Sequence, residues 1–167
     1  MLALRAGAHQ SLLTPDEWLD ALGDHDVDVR REALTLLAYE NVGDERLFPA
    51  IIDALRDDDA LVVDAAAFAT GEHLRADAVE ALIVVATSHD DARCREAAVA
   101  ALGAIGDDRG RDAVLAALED KPPVRRRAIV ALSNFEGPDI ESALERAAQD
   151  RDWQVRAAVD QLTRDDD

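Results

Sequence analysis

The residues able to do chemistry are few and scattered. The chain carries four histidines, His9, His25, His73 and His89, and a single cysteine, Cys94. A helical zinc site needs paired His or Cys ligands on one face. No histidine here stands four residues from another, and none has a cysteine at zinc-finger spacing. Asp24-His25-Asp26-Val27-Asp28 has the alternating acids that open a calcium loop. Its sixth position is Val29, where glycine would make the turn, and its twelfth is Thr35, where a bidentate glutamate would close the shell. No phosphate-binding glycine loop and no Gly-x-Ser-x-Gly elbow is present. Cys94 falls in an apolar stripe, which predicts an inert core thiol instead of a nucleophile. The sequence therefore assigns no catalytic, cofactor-binding or metal-binding residue, and predicts a protein that is not an enzyme.

Carboxylates recur at Asp26, Asp58 and Asp59, Asp90 and Asp91, Asp120 and Asp152. Each group precedes an apolar stretch, so the regular placement predicts helix capping and dipole compensation, not metal binding. The elements that follow them repeat. Val29-Arg30 is followed by Ala33, Cys94-Arg95 by Ala98, Val124-Arg125 by Ala128, and Val155-Arg156 by Ala158 and Val159. Val63-Asp64, followed by Ala67, fills the remaining slot with the charge reversed. The starts at 29, 63, 94, 124 and 155 lie 34, 31, 30 and 31 residues apart, the period of a helical repeat array.

Each copy reads as two helices. In the third, Cys94, Ala97, Ala98, Ala101 and Leu102 share one face, Asp91 is placed as the N-cap, and Gly103 or Gly106 can adopt the left-handed closing conformation. The second helix, Asp108 to Leu118, buries Val114, Leu115 and Leu118. The row Phe48, Ile51, Ile52, Leu55 aligns with Val79, Leu82, Ile83, Ala86 and with Ile140, Ala143, Leu144, Ala147. Arg111 breaks that row, as a stem covering the core edge with its guanidinium in water or as a groove arginine. Thr14-Pro15-Asp16-Glu17 starts a helix over Pro15 to Leu22. Asn41-Val42-Gly43, Gly71, Gly106-Asp107-Asp108 and Gly137-Pro138 punctuate the loops. Trp18 and Trp153, near the two ends, are candidate caps. One helical pair cannot bury its apolar stripe alone, so neighbouring pairs must cover one another.

Composition agrees. Apolar residues make up 49% of the 167 and aromatics 4%, so small aliphatics, 33 of them Ala, build the core. The net charge of -18 opposes nucleic-acid and anionic membrane partners. Of the 18 basic residues 17 are Arg; with the abundant Ala and Asp this suggests a GC-rich bacterial genome or, less directly, a salt-adapted cytoplasm. A lone cysteine excludes an intrachain disulfide. The first ten residues lack a signal-peptide pattern and no stretch reaches a membrane-spanning length, which predicts a cytoplasmic protein.

The run from Cys94-Arg-Glu-Ala-Ala-Val-Ala-Ala-Leu-Gly-Ala-Ile-Gly-Asp to Asp108, with Ala-Val-Leu-Ala-Ala-Leu-Glu to Asp120, resembles the HEAT-like repeat named after phycobilisome lyases. The likeness covers about residues 26 to 163. It implies an all-α, right-handed α-solenoid of about five HEAT-like repeats, with first helices on the convex face and second helices on the concave one. It also implies that Arg30, Arg95, Arg125 and Arg156 pair with an acid near a neighbouring helix start, and that Asp64 leaves the first-to-second junction without that contact. One repeat protein of this type is a di-iron hydroxylase with repeated His-Glu pairs; only Glu72-His73, reversed and single, stands here. The expected division is one domain: a partial leading repeat at 14–25, full repeats at 26–57, 58–89, 90–120 and 121–150, a terminal half repeat at 151–163, and a disordered tail at 164–167. Met1 to Leu13 either add a partner helix or fray.

These readings predict a non-catalytic interaction or scaffold module that binds another protein, with no cofactor, nucleic acid or membrane. The candidate lining on the second helices is Glu45, Arg46, Pro49, Asp53, Arg56, Glu80, Val84, Arg109, Arg111, Asp112, Glu119, Glu141 and Glu145. Its acidic excess suits a partner segment of basic character. The alternative is a subunit or homologue of a bilin lyase or another modifying enzyme.

Overall fold

Small residues at regular spacing and acidic caps produce a stack of helices. The computed structural model describes residues 13–40 and 43–165, and all regular structure among them is helical. Ten α-helices follow in order: α1 Pro15–Leu22, α2 Val27–Leu37, α3 Leu47–Asp53, α4 Ala60–Glu72, α5 Val79–Ser88, α6 Ala92–Ile105, α7 Arg111–Ala116, α8 Pro122–Leu132, α9 Pro138–Ala147 and α10 Trp153–Asp165. Short 3-10 turns extend α3 (Ala54–Arg56), precede α5 (Ala76–Ala78) and flank α7 (Asp108–Gly110, Ala117–Glu119). The helix expected over Asp108 to Leu118 is thus α7 with tighter turns at both ends. The expected partner helix or frayed start falls on residues 1–12, which lie outside the described residues. So do Asn41 and Val42 of the expected loop and 166–167 of the expected tail. Arg164 and Asp165 continue α10 instead of forming part of a disordered tail.

The helix starts are chemically explicit. Thr14 and Glu17 form a reciprocal capping box, the Thr14 hydroxyl accepting from the Glu17 amide and the Glu17 carboxylate from the Thr14 amide at 2.7 Å. Asp26, Asp59, Asp91 and Asp152 each accept from the amide two residues on, at 2.8–2.9 Å. Their immediate neighbours Asp58 and Asp90 are not the N-caps. At α8 Lys121 occupies the cap without a side-chain bond, and Pro122 supplies a preset first turn. Asp120 is left for another task. Helix α6 runs through Gly103 and ends at Gly106, whose φ of 64° is left-handed.

The helices form two layers, with α2, α4, α6, α8 and α10 in the first and α1, α3, α5, α7 and α9 in the second. Their substantial contacts are all within a repeat or between adjacent ones, which makes the fold an α-solenoid. Counting from the caps, Val62, Cys94, Val124 and Val155 occupy one buried position, and Ala33, Ala66, Ala98, Ala128 and Val159 another. This count moves the second copy by one residue. Its Arg slot is held by Val63, 1% exposed, and not by Asp64. Trp18 is buried, whereas Trp153 is 67% exposed and is not part of the buried core.

A ladder of ion pairs ties the first layer together. Arg30 forks Asp57 at 2.8 and 2.9 Å, Arg95 forks Asp120 at 2.6 and 2.7 Å, and Arg125 forks Asp150 at 2.9 and 2.8 Å. Each arginine also donates at 2.7 Å to a carbonyl of its own entry loop, of Asp24, His89 and Asp120 respectively. The first-to-second junction therefore has its pair, contrary to expectation. The gap lies between α4 and α6, where Val63 replaces the arginine and His89 stands where Asp57 and Asp150 stand elsewhere. His89 keeps the local role, its Nδ1 accepting from the Asp91 amide at 3.1 Å as Asp57 accepts from Asp59 at 2.9 Å. Arg156 makes the loop-carbonyl bond to Asp150 but has no carboxylate partner among the described residues.

Two outcomes test this packing. A Cβ at Gly103 would stand 2.6 Å from the Ala131 Cα and nearer still to its Cβ. Gly→Ala inside a helix ordinarily stabilises by about 1 kcal/mol. Gly103→Ala is instead expected to destabilise by about 1–3 kcal/mol, because α6 and α8 must separate; urea unfolding reads the sign. Arg125→Met leaves Asp150 and the Asp120 carbonyl unanswered and is expected to cost about 3–5 kcal/mol at pH 7. Hydrogen bonds from Arg125 and Arg95 hold the Asp150 and Asp120 carboxyls below the usual carboxylate range. Lowered folded values contribute stability above about pH 4 that is lost as pH falls through them. The gap between wild type and Arg125→Met should accordingly narrow on acidification below about pH 4.

Candidate interaction surfaces

The groups capable of chemistry serve the scaffold. His73 Nε2 lies 2.8 Å from the Leu37 carbonyl and its ring packs edge-on to Phe48 at 5.4 Å, so it joins α2, α3 and α4. The Cys94 thiol donates to the Ala60 carbonyl at 3.1 Å, and burial pushes it up to about 11, so it stays protonated at neutral pH. His9 lies outside the described residues. No cluster of three potential metal ligands exists among those described, and no helix there is long and apolar enough to cross a membrane.

Twelve of the thirteen residues singled out on the second layer are exposed, and Arg111 is half-buried. The arginines among them are spoken for. Arg46 pairs with Asp44 at 2.8 Å and with Asp16 of the preceding repeat at 3.1 Å. Arg109 grips Asp107 at 2.8 Å, which brings that carboxyl down to about 2, and reaches back to the Ala76 carbonyl at 2.8 Å and Glu80 at 3.6 Å. Arg111 reaches forward to Asp139 and to the Glu136 carbonyl at 3.0 Å, so it is neither a stem with a free head nor a groove cation. Arg56 pairs with Asp53 at 3.2 Å. Glu45 pairs with Arg75, which sequence reasoning passed over; Arg75 also holds Asp77 and lies 3.8 Å above the Phe48 ring. Asp112, Glu119, Glu141 and Glu145 have no cation at ion-pair distance among the described residues. Pro49 and Val84 are exposed apolar positions of the same layer.

A second surface lies on the first layer. A cavity of about 540 Å³ opens between α4 and α6, with Arg127 of α8 at its edge. Ala67, Gly71 and Ala101 are its buried apolar lining. Phe68 and the less buried Ala97, Ala100 and Ala104 also face it, and Asp64, Glu72, Arg93 and Glu96 are its polar lining. Phe68 is 38% exposed and Tyr39 74% exposed, with their rings 5.6 Å apart. Val130, the counterpart of Phe68 on α8, is 52% exposed. The sequence signal for this surface was Tyr39, a large side chain just past the last buried position of α2. The first layer is also the tighter one. Gly71 lets α4 meet the Ala101 backbone, and Gly103 does the same for α6 and Ala131, while neighbouring second helices touch far less.

Paired helices, neighbour-only packing and a ladder of arginine–aspartate pairs define a helical-repeat fold of the HEAT/armadillo-like kind. Residues 64–133 match the family model of HEAT repeats. The chain is similar in structure to a chain in the complex of CpcE and CpcF of phycocyanin lyase from Nostoc sp. PCC7120, with TM-score 0.80, 21% identity and 93% of this chain covered. It spans 65% of the length of that chain. It is also similar to a designed armadillo repeat protein in complex with the peptide (KR)4, with TM-score 0.67, 16% identity, 89% of this chain and 80% of that one covered. An engineered protein matches with TM-score 0.66, 21% identity, 88% of this chain and 76% of its own length. No curated protein sequence matches the chain.

The clamps on the second layer predict a specific failure. Arg109→Glu places a carboxylate beside Asp107 and Glu80 and should lower the urea midpoint. Glu141→Lys with Glu145→Lys, on unpaired positions of the same layer, should leave it unchanged.

Proposed function

We propose that this chain is a non-catalytic protein-interaction module that docks its partner on the first-helix face. The observation that carries this is the cavity beside the exposed Tyr39–Phe68 pair. Solvated aromatic rings next to an apolar lining lose water favourably when covered, and such rings dominate interface energetics. The relative spacing of the layers adds support. A stack bends toward its tighter side, so the first-helix face is the inner one in this reading, where the resemblance implied the second helices. The second-helix face is the weaker choice because Arg46, Arg75, Arg109 and Arg111 already hold neighbouring repeats together there. The designed relative bound to (KR)4 is consistent with a partner of basic character.

A second reading, a subunit or homologue of a bilin lyase, rests on the similarity to the CpcE–CpcF complex. A visible absorbance shift when a bilin is added to the chain would favour it. For the interaction reading, affinity capture and mass spectrometry compare wild type with Tyr39→Ser/Phe68→Ser and with Glu141→Lys/Glu145→Lys. The expected result is a partner whose recovery falls about tenfold or more with the first pair and holds with the second. Loss confined to the second pair, or nothing retained above a charge-matched control protein, overturns it.

A further inference from the structure

Given docking on the first-helix face, the cavity between α4 and α6 states what its occupant carries. We propose that it receives an extended partner segment with two cationic side chains four residues apart and an apolar side chain midway between them.

Charge within the cavity is unevenly answered. Arg93 is paired with Asp91 at 2.7 Å, and Arg127 lies 3.7 Å from Glu96. Asp64 and Glu72 have no cation at ion-pair distance among the described residues, and Asp64 is half-buried. Burial pushes the Asp64 carboxyl up against the opposing pull of Arg93, the condition of a carboxylate that gains most from an incoming cation. Both carboxylates lie on one stripe of α4 with Phe68 between them. Eight helical residues separate them by about 12 Å. In an extended chain, side chains at i, i+2 and i+4 share a face, and the outer two lie about 13 Å apart. A cation, an apolar residue and a second cation at these positions would meet Asp64, Phe68 and Glu72 in turn, with the middle side chain on the alanine lining. A helical occupant would need its cations twice as far apart in sequence.

The test uses a random dodecapeptide display library selected on the intact chain at physiological salt. The expected outcome is enrichment of Lys or Arg at i and i+4 with an aliphatic or aromatic residue at i+2. A synthetic copy of the selected peptide should bind about five- to tenfold more weakly to Asp64→Asn and to Glu72→Gln. It should change less than about twofold with Glu141→Gln/Glu145→Gln, which removes charge from the other face. Should Asp64→Asn lower the melting temperature, the exposed Glu72→Gln carries the comparison. Selected peptides without the paired cations, or an equal loss with the second-face variants, overturn this inference while leaving the interaction module standing. Failure to select any peptide above background overturns both.

Discussion

Backbone-close approach of the first helices is the constraint on which the rest depends. Gly71 against Ala101 and Gly103 against Ala131 let α4, α6 and α8 meet without intervening side chains. At the Gly103 junction the arginine near the start of α6 reaches the entry loop of α8, where Arg95 forks Asp120 with bidentate geometry; Arg125 forks Asp150 across α8 and α10 without a glycine contact. A larger residue at Gly103 would push α6 and α8 apart and strain the Arg95–Asp120 pair. The alanine-rich composition follows from this spacing as much as from helix propensity.

The same economy governs the outer charges. With 18 basic residues against 36 acidic ones, seven arginines are committed to joining repeats. Arg30, Arg95 and Arg125 join first helices, while Arg46, Arg75, Arg109 and Arg111 join the loops that lead into second helices. Exposed pairs of this kind are individually weak, but each here ties one repeat to the next along an edge where little else does.

Much of the architecture was legible in the sequence because one energetic need recurs: a valine or cysteine three residues after a cap and a small aliphatic residue four places later. The register of the second copy is ambiguous because Ala65, Ala66 and Ala67 satisfy that pattern in either of two frames. Only Asp59, as the observed cap, decides between them. The site was less legible for a related reason. A sequence reports which side chains are amphipathic, and Arg46, Arg109 and Arg111 are as compatible with a groove as with a clamp. Their partners Asp16, Glu80 and Asp139 lie about thirty residues away, set by the stacking period and invisible to local pattern. Phe68 sits in a helix so apolar on every side that its exposure could not be read from periodicity.

The ambiguous copy is also where the cavity lies, and the two facts have one cause. Every other first helix carries an arginine at the fourth position after its cap; α4 carries Val63. Glu96, the counterpart of Asp64 on α6, follows Arg95 directly in the chain and has Arg127 nearby. Asp64 follows a valine. With Val63 in place of the arginine and His89 in place of its acceptor, both charges of the ladder are missing together, so the seam is held by apolar burial and by the Gly71–Ala101 contact. That exchange costs little, since a buried ion pair and a packed aliphatic residue are close in stability. What it changes is the surface above the seam, where a carboxylate remains with no cation of its own repeat to neutralise it, beside the exposed ring of Phe68.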